Sequence, residues 1–151
     1  MNIEEIDNKI EALEAQKIQY RKNLINKLNW YNRLSLEHES SCGKTEEQNK
    51  TYSMFKRGFK GYLQNYFKLI QFKPSLGHFY ISGFFELENK ENGNKQTYYF
   101  SIEDLRGGQT FMIRTAKDFK DYTGGNNCYL SLKDFEQFKQ DLDIVVRFSL
   151  K

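Results

Sequence analysis

The 151-residue chain contains only one proline and two cysteines, and it has no long apolar run. Two cysteines are too few for a disulfide framework or a zinc site, which favours a reducing, cytoplasmic setting. A membrane-spanning helix needs about 18 or more consecutive apolar residues, and no segment approaches that length. The amino terminus lacks the basic start and apolar core of a signal peptide. We therefore expect a cytoplasmic protein that does not engage a membrane.

Aromatic residues are abundant: the chain has 13 Phe, 10 Tyr and 1 Trp. A disordered chain would lack such means of burying a core, so the composition predicts one or two small folded domains. Groups suited to catalysis are few, since His38 and His78 each lack a nearby histidine or cysteine with which to hold a metal. We therefore expect neither an enzyme nor a bound cofactor or metal.

The net charge of +3 is concentrated in one segment. Residues 1–49 carry a net charge of −2 and residues 74–151 carry −1. Residues 50–73, by contrast, contain six Lys or Arg side chains and no Asp or Glu. Because segment charge bears on partners more than on fold, this segment is a candidate contact for phosphates or for an acidic partner.

Residues 2–36 are predicted to form one long helix with a heptad pattern. Eight of its ten a and d positions are apolar, the exceptions being Lys17 and Lys27. The ten positions are Ile3, Ile6, Ile10, Leu13, Lys17, Tyr20, Leu24, Lys27, Tyr31 and Leu34. The pattern is typical of a coiled coil or of one arm of a helical hairpin. An amphipathic helix packed on the C-terminal domain is the alternative, and a helical protein partner could bind this segment.

Residues 37–50 are polar and are predicted to form an exposed linker, and residues 51–73 a second helix. The apolar face of this second helix combines Phe55, Phe59, Tyr62, Leu63, Tyr66, Phe67 and Ile70 at three- and four-residue spacing. Lys56, Arg57 and Lys60 lie off this face. The helix is then either a basic surface for phosphates or a core helix with solvated lysines. Pro74 predicts its end and a boundary between a helical region, 1–73, and a sheet domain, 76–151.

The pattern of residues 76–151 changes from helical to alternating, as half-buried strands require. It predicts strands over 79–87, 96–103, 110–116 and 127–132 and then a helix, in the order β-β-β-β-α. Asn92-Gly93 indicates a hairpin between the first two strands. Ser131 is expected to cap the helix and Cys128 to be buried in its strand. The predicted fold class is α+β, with the helical region preceding this sheet domain.

Three runs in this domain resemble a PUR repeat of the short bacterial type. They are Lys95-Gln-Thr-Tyr-Tyr-Phe-Ser-Ile, Phe111-Met-Ile-Arg-Thr and Cys128-Tyr-Leu-Ser-Leu-Lys-Asp-Phe-Glu-Gln-Phe-Lys-Gln-Asp-Leu. The domain is more broadly similar to the Whirly and transcriptional-coactivator folds that bind single-stranded DNA. The resemblance implies a curved four-stranded sheet backed by the helix, and a homodimer. It also implies binding of single-stranded, often purine-rich, DNA or RNA across the sheet.

The resemblance implies binding positions at Lys95, Thr97, Tyr99, Arg114 and Lys117. An exposed tyrosine can stack on a base and basic side chains can neutralise phosphates. Because the sheet domain is net −1, binding would need Arg106 to cluster with these basic residues, or help from Lys56, Arg57 and Lys60. The alternative function is a non-enzymatic scaffold that oligomerises through its sheet domain and its N-terminal heptads.

Overall fold

The computed structural model describes residues 2–34, 45–103, 105, 110–121 and 125–151 of the chain. These residues form an α+β fold in which helices precede and follow one antiparallel sheet. The helices are α1 (Ile3–Asn26), α2 (Trp30–Leu34), α3 (Glu46–Tyr66) and α4 (Phe135–Ser149). The strands are β1 (Lys68–Leu76), β2 (Ile81–Glu88), β3 (Lys95–Ile102), β4 (Thr110–Ala116) and β5 (Cys128–Ser131).

The N-terminal helix is shorter than the predicted span of 2–36. It begins after Asn2, whose side chain accepts a hydrogen bond from the Glu5 N–H at 2.8 Å. It ends at Asn26, and Asn29 then caps α2 by accepting a hydrogen bond from the Asn32 N–H at 2.8 Å. The prediction of one continuous helix is therefore wrong, because an asparagine cap within the heptad pattern starts a second helix.

The start of α3 corrects the predicted linker. Thr45 and Gln48 form a capping box, in which each side chain accepts a hydrogen bond from the other residue's backbone N–H. Residues 46–50 are consequently helical, and the rest of the predicted linker, 37–44, lies outside the described residues.

The end of α3 corrects the predicted helix over 51–73. The helix stops at Tyr66, and Lys68–Leu76 form β1. In this strand Phe72 and Leu76 point toward the helices, whereas Lys73 lies on the opposite side. The apolar residues at the start of the strand also continue the three- and four-residue spacing of α3, which is why the pattern predicts a longer helix.

The sheet has five strands rather than the predicted four, in the order β1-β2-β3-β4-β5, with each neighbouring pair antiparallel. The order after α3 is therefore β-β-β-β-β-α. The predicted strands correspond to β2 through β5, and the predicted boundary at Pro74 falls within β1. An edge strand tolerates proline because it has one side without ladder partners. The predicted hairpin joins β2 to β3, and Gly93 adopts a positive φ of 74° in it.

The helices α2, α3 and α4 cover one face of the sheet and enclose an aromatic core. The ring of Phe59 on α3 lies 5.6–5.9 Å, between centroids, from the rings of Phe85, Phe100 and Phe111. The ring of Phe138 on α4 lies 5.2 Å from that of Phe111. The aromatic face of α3 is thus a core face, and the opposite face of the sheet carries no helix among the described residues.

Two local predictions about the C-terminal part are wrong. Asp134, not Ser131, caps α4, and its carboxylate accepts hydrogen bonds from the backbone N–H groups of Glu136 and Gln137. Cys128 is exposed rather than buried, because β5 is an edge strand of only four residues.

Candidate nucleic-acid interface

The helix-free side of the sheet, here called the open face, carries a row of four side chains, one from each of β1 to β4. The strand register pairs Lys73 with Phe84, Phe84 with Tyr99, and Tyr99 with Arg114. Directly paired residues in an antiparallel sheet project to the same side. Across the sheet, the open-face row therefore consists of a cation, two aromatic rings and a second cation.

The centre of the row is an aromatic cluster. The rings of Phe84 and Tyr99 lie 5.2 Å apart between centroids, at an interplanar angle of 54°. Phe119, which follows β4, adds a third ring 5.9 Å from that of Phe84. All three side chains are partly exposed, so the cluster forms part of the surface rather than of the core.

The two cations of the row are held in different ways. The Lys73 ammonium lies 5.2 Å from the centroid of the Phe119 ring, within the range of a cation–π interaction. The Arg114 guanidinium donates a hydrogen bond from Nη2 to the carbonyl oxygen of Gly125, and the donor–acceptor distance is 2.5 Å. Both contacts orient the cations beside the aromatic cluster.

Carboxylates are concentrated at one end of the open face. There Glu88 forms an ion pair with Lys68 and stands opposite Lys95 in the register. The hydrogen bond from Lys68 lowers the pKa of the Glu88 carboxyl, and the charge of Lys95 adds to this effect. Glu86 lies in the register row next to Phe84. The row on the other side of Phe84 consists of uncharged residues: Ser75, Ser82, Ser101, Met112 and Tyr129. The charges of Lys73 and Arg114 are therefore least compensated on the side of their row that faces away from Glu86.

The structure places four of the residues implied by the resemblance on the open face. Tyr99 and Arg114 lie in the row, Thr97 is buried one register position away, and Lys95 lies at the end with Glu88. Lys117 is exposed just after β4, and its backbone N–H donates to the Asp121 carbonyl at 3.2 Å. Arg106 lies outside the described residues.

The basic residues of α3 lie on a different surface. Lys56, Arg57 and Lys60 are exposed, whereas Phe55 and Phe59 of the same helix point into the core. Since α3 covers the face opposite the open face, these three residues are separated from Tyr99 by the thickness of the sheet and the helix layer. The structure thus divides the predicted binding residues between two surfaces.

The sequence pattern does not identify three residues of this surface: Lys73 of the open-face row, and Phe84 and Phe119 of the aromatic cluster. Lys73 falls within the predicted helix over 51–73 and Phe84 within the predicted strand over 79–87, and neither pattern marks its residue as a binding position. The signal that identifies Phe84 is its pairing with Tyr99, which depends on strand register. Register follows from the hairpin at Asn92-Gly93 once the strand ends are known.

Within the described part of the chain, no group of three or more His, Cys, Asp or Glu residues could hold a metal ion. No helix in that part is long and apolar enough to cross a membrane. Comparison of the chain with protein-family models, with curated proteins and with solved structures found no match.

Proposed function

We propose that the chain binds single-stranded DNA or RNA on the open face of its sheet. The observation that carries this proposal is the open-face row, in which Phe84 and Tyr99 are flanked by Lys73 and Arg114. A single strand presents unstacked bases and charged phosphates together, and an aromatic cluster between cations is complementary to both. The resemblance to PUR repeats supports the same face, because it implies binding across the sheet.

The dimensions of the open-face row suit a short stretch of single strand. Neighbouring strands lie about 4.8 Å apart, so Lys73 and Arg114 are separated by roughly 14 Å across three strand intervals. Phosphates would lie near the two cations, and a base would stack on the exposed part of Tyr99 or Phe84. Stacking on an aromatic side chain contributes about 1–3 kcal/mol per base.

Fluorescence anisotropy with a labelled, purine-rich single strand of roughly 20 nucleotides tests the proposal. We expect the single strand to bind more tightly than the matching duplex, and binding to weaken as salt rises from about 50 to 200 mM. Tyr99→Ala should weaken binding roughly 5- to 100-fold, the equivalent of one lost stack. Tyr66→Ala removes an exposed ring at the end of α3 and is the matched control, because this ring lies off the open face.

Two results would contradict the proposal. One is the absence of binding at micromolar protein in low salt. The other is an equal loss of affinity in the Tyr99→Ala and Tyr66→Ala variants when thermal unfolding shows both to be folded. The second result would place any binding site away from the open face.

A second candidate function is that of a scaffold without nucleic-acid binding. The observation that favours it is the exposed apolar face of α1, which nothing else in the described residues covers. Deletion of residues 2–20, which are all exposed, separates the two functions because it leaves the buried Ile25 in place. A protein that binds nucleic acid through the open face should retain that binding after the deletion, whereas a scaffold should lose self-association or partner capture.

A further inference from the structure

The helix α1 exposes nearly its whole apolar seam, defined here as the a and d positions from Ile3 to Leu24. Ile3, Leu13 and Tyr20 have 78%, 64% and 71% of their surface exposed. Ile25 is the single buried residue of the helix. The exposed a and d residues of the seam are Ile3, Ile6, Ile10, Leu13, Lys17, Tyr20 and Leu24.

The attachment of α1 to the rest of the molecule is confined to its C-terminal end. Beyond the burial of Ile25, Arg21 lies 4.0 Å from Glu47 and the Lys50 ammonium donates to the Asn26 side chain at 3.0 Å. Helices in water gain most of their stability from packing an apolar face. The first five turns of α1 have no such packing among the described residues, so the seam lacks the partner that its pattern requires.

We infer that a second copy of this chain covers the seam, and that the two α1 helices form a parallel, two-stranded coiled coil. Parallel pairing in register places each seam residue against itself, so that Ile10 meets Ile10 and Leu13 meets Leu13. Isoleucine at a together with leucine at d favours two strands, and this is the combination at Ile10 and Leu13. Lys17 is the one charged residue of the seam, and a single polar a position favours one register over its shifted alternatives.

Charge complementarity selects the parallel orientation. Lys9 occupies a g position and Glu14 the following e position, so a parallel pair brings Lys9 of each helix beside Glu14 of the other. An antiparallel pair that sets Ile3 against Leu24 would instead bring the two Glu14 side chains beside each other. Its attractive contacts, between Asp7 and Arg21, would compete with the contact between Arg21 and Glu47 within each chain. Parallel pairing thus gains two attractive contacts at the edges of the seam, which outnumber its one like-charge contact, between the two Lys17 side chains. Parallel pairing also places both globular parts at the same end of the coiled coil, because each joins α1 at its C-terminal end.

Light scattering and sedimentation equilibrium on the full chain test the pairing. We expect a mass of twice 18.0 kDa. Ile6→Glu combined with Leu13→Glu places charges at two d positions and should give a monomer, since both side chains are exposed in the single copy. Asn8→Glu combined with Ala15→Glu adds the same charges at f positions of the same helix and should remain dimeric. A monomeric wild-type chain, or a dimeric Ile6→Glu/Leu13→Glu variant, would overturn the inference.

Two further variants test the orientation. With Cys42 and Cys128 replaced by serine, Ile3→Cys should form an intermolecular disulfide with copper phenanthroline as oxidant. In the antiparallel alternative the two sulfurs would be roughly 30 Å apart and would not crosslink. Lys9→Glu should weaken the dimer roughly tenfold, and Glu14→Lys in the same chain should restore it. A dimer that does not crosslink, or that the second substitution does not rescue, overturns the parallel arrangement.

Discussion

Gly58 of α3 lies directly against the indole of Trp30, the first residue of α2. A Cβ atom added at Gly58 would stand 2.1 Å from Cδ1 of that indole, well inside contact distance. The indole is itself packed between Phe59 and Phe135, with ring centroids 6.0 and 5.9 Å away. The absence of a side chain at Gly58 is therefore what allows α2 to approach α3.

Gly58→Ala is expected to destabilise the protein, although alanine favours helix over glycine by about 1 kcal/mol. Overpacking a fixed ring costs about 1–3 kcal/mol, so the free energy of unfolding should fall by roughly 1–2 kcal/mol. Gly61 is the matched control, because it is exposed on the same helix and an added Cβ would meet nothing within 4 Å. Gly61→Ala should raise the free energy of unfolding by about 0.5–1 kcal/mol. Urea unfolding measures both, and stabilisation by Gly58→Ala would contradict the packing argument.

Arg33 should be among the largest single contributors to stability in the helical layer. It is fully buried, and it donates to the Thr51 hydroxyl at 3.0 Å and to the Ile25 carbonyl at 2.6 Å. Burial lowers the pKa of its guanidinium, and the charge of Glu47 opposes that effect. Arg33→Met should lower the free energy of unfolding by about 2–4 kcal/mol, because it leaves the Ile25 carbonyl and the Glu47 carboxylate without this cation.

The exposed Arg57 of α3 provides the control for Arg33. Arg57→Met should change the free energy of unfolding by no more than about 0.5 kcal/mol, as expected of a surface side chain. A double-mutant cycle with Glu47→Gln should show that the two losses are not additive, because the neutral partner no longer needs a cation. Equal effects of Arg33→Met and Arg57→Met in urea unfolding would show that the buried contacts contribute little.

The secondary-structure elements whose bounds the sequence predicts well are those in which either the helical or the alternating spacing of apolar residues dominates. From Gln96 to Ile102 and from Thr110 to Ala116, large apolar residues recur at every second position, at Tyr98, Phe100 and Ile102 and at Phe111 and Ile113. Strands β3 and β4 lie within a residue of the predicted bounds. The stretch from Phe67 to Leu76 satisfies helical and alternating spacing together. Tertiary pairing with β2 decided between them, and a pattern within one segment contains no information about that pairing.

Only half of the open-face row could be predicted from the sequence, for a related reason. Tyr99 and Arg114 came from the family resemblance, and each lies on the open face. Their neighbours Phe84 and Lys73 belong to other strands and become neighbours only through the register of β1 with β2 and β2 with β3. The separation of Lys56 and Arg57 from this row likewise depends on which face of the sheet α3 covers. Linear spacing does not specify that face.

Buried tyrosines should make the protein sensitive to alkali. Burial raises the pKa of Tyr31 and of Tyr98 to about 12. Burial also raises the pKa of Tyr62. In the unfolded chain these groups ionise near pH 10, so their full contribution to stability is present below about pH 10. Between about pH 10 and 12 the unfolded chain loses protons that the folded chain retains. The free energy of unfolding should then fall by about 1.4 kcal/mol per pH unit for each such tyrosine.

Tyr98→Phe tests this alkaline sensitivity, since the Tyr98 hydroxyl lies 2.6 Å from that of Ser149 in the core. Urea unfolding at several values between about pH 9 and 12 should show a slope shallower by roughly one proton than in the wild-type chain. Tyr129→Phe changes an exposed ring and should leave the slope as it was. Identical slopes for all three proteins would show that Tyr98 does not titrate with unfolding.

The open face and the basic residues of α3 can be compared as binding surfaces by neutralising one pair of cations on each, with the same change in net charge. Lys73→Gln with Arg114→Gln removes two positive charges from the open-face row, and Lys56→Gln with Arg57→Gln removes two from α3. If the single strand lies across the open face, the first double variant should flatten the plot of log affinity against log salt by about 1.4, or 0.7 per lost phosphate contact. The second should leave the slope unchanged, because these side chains lie on the far side of the helical layer and a reduced net charge alone releases no bound counterions.

Equal flattening by the two variants, when thermal unfolding shows both to be folded, would mean that the single strand contacts both surfaces. Flattening by the α3 pair alone would assign the site to the basic helix and would exclude the open face as the principal contact.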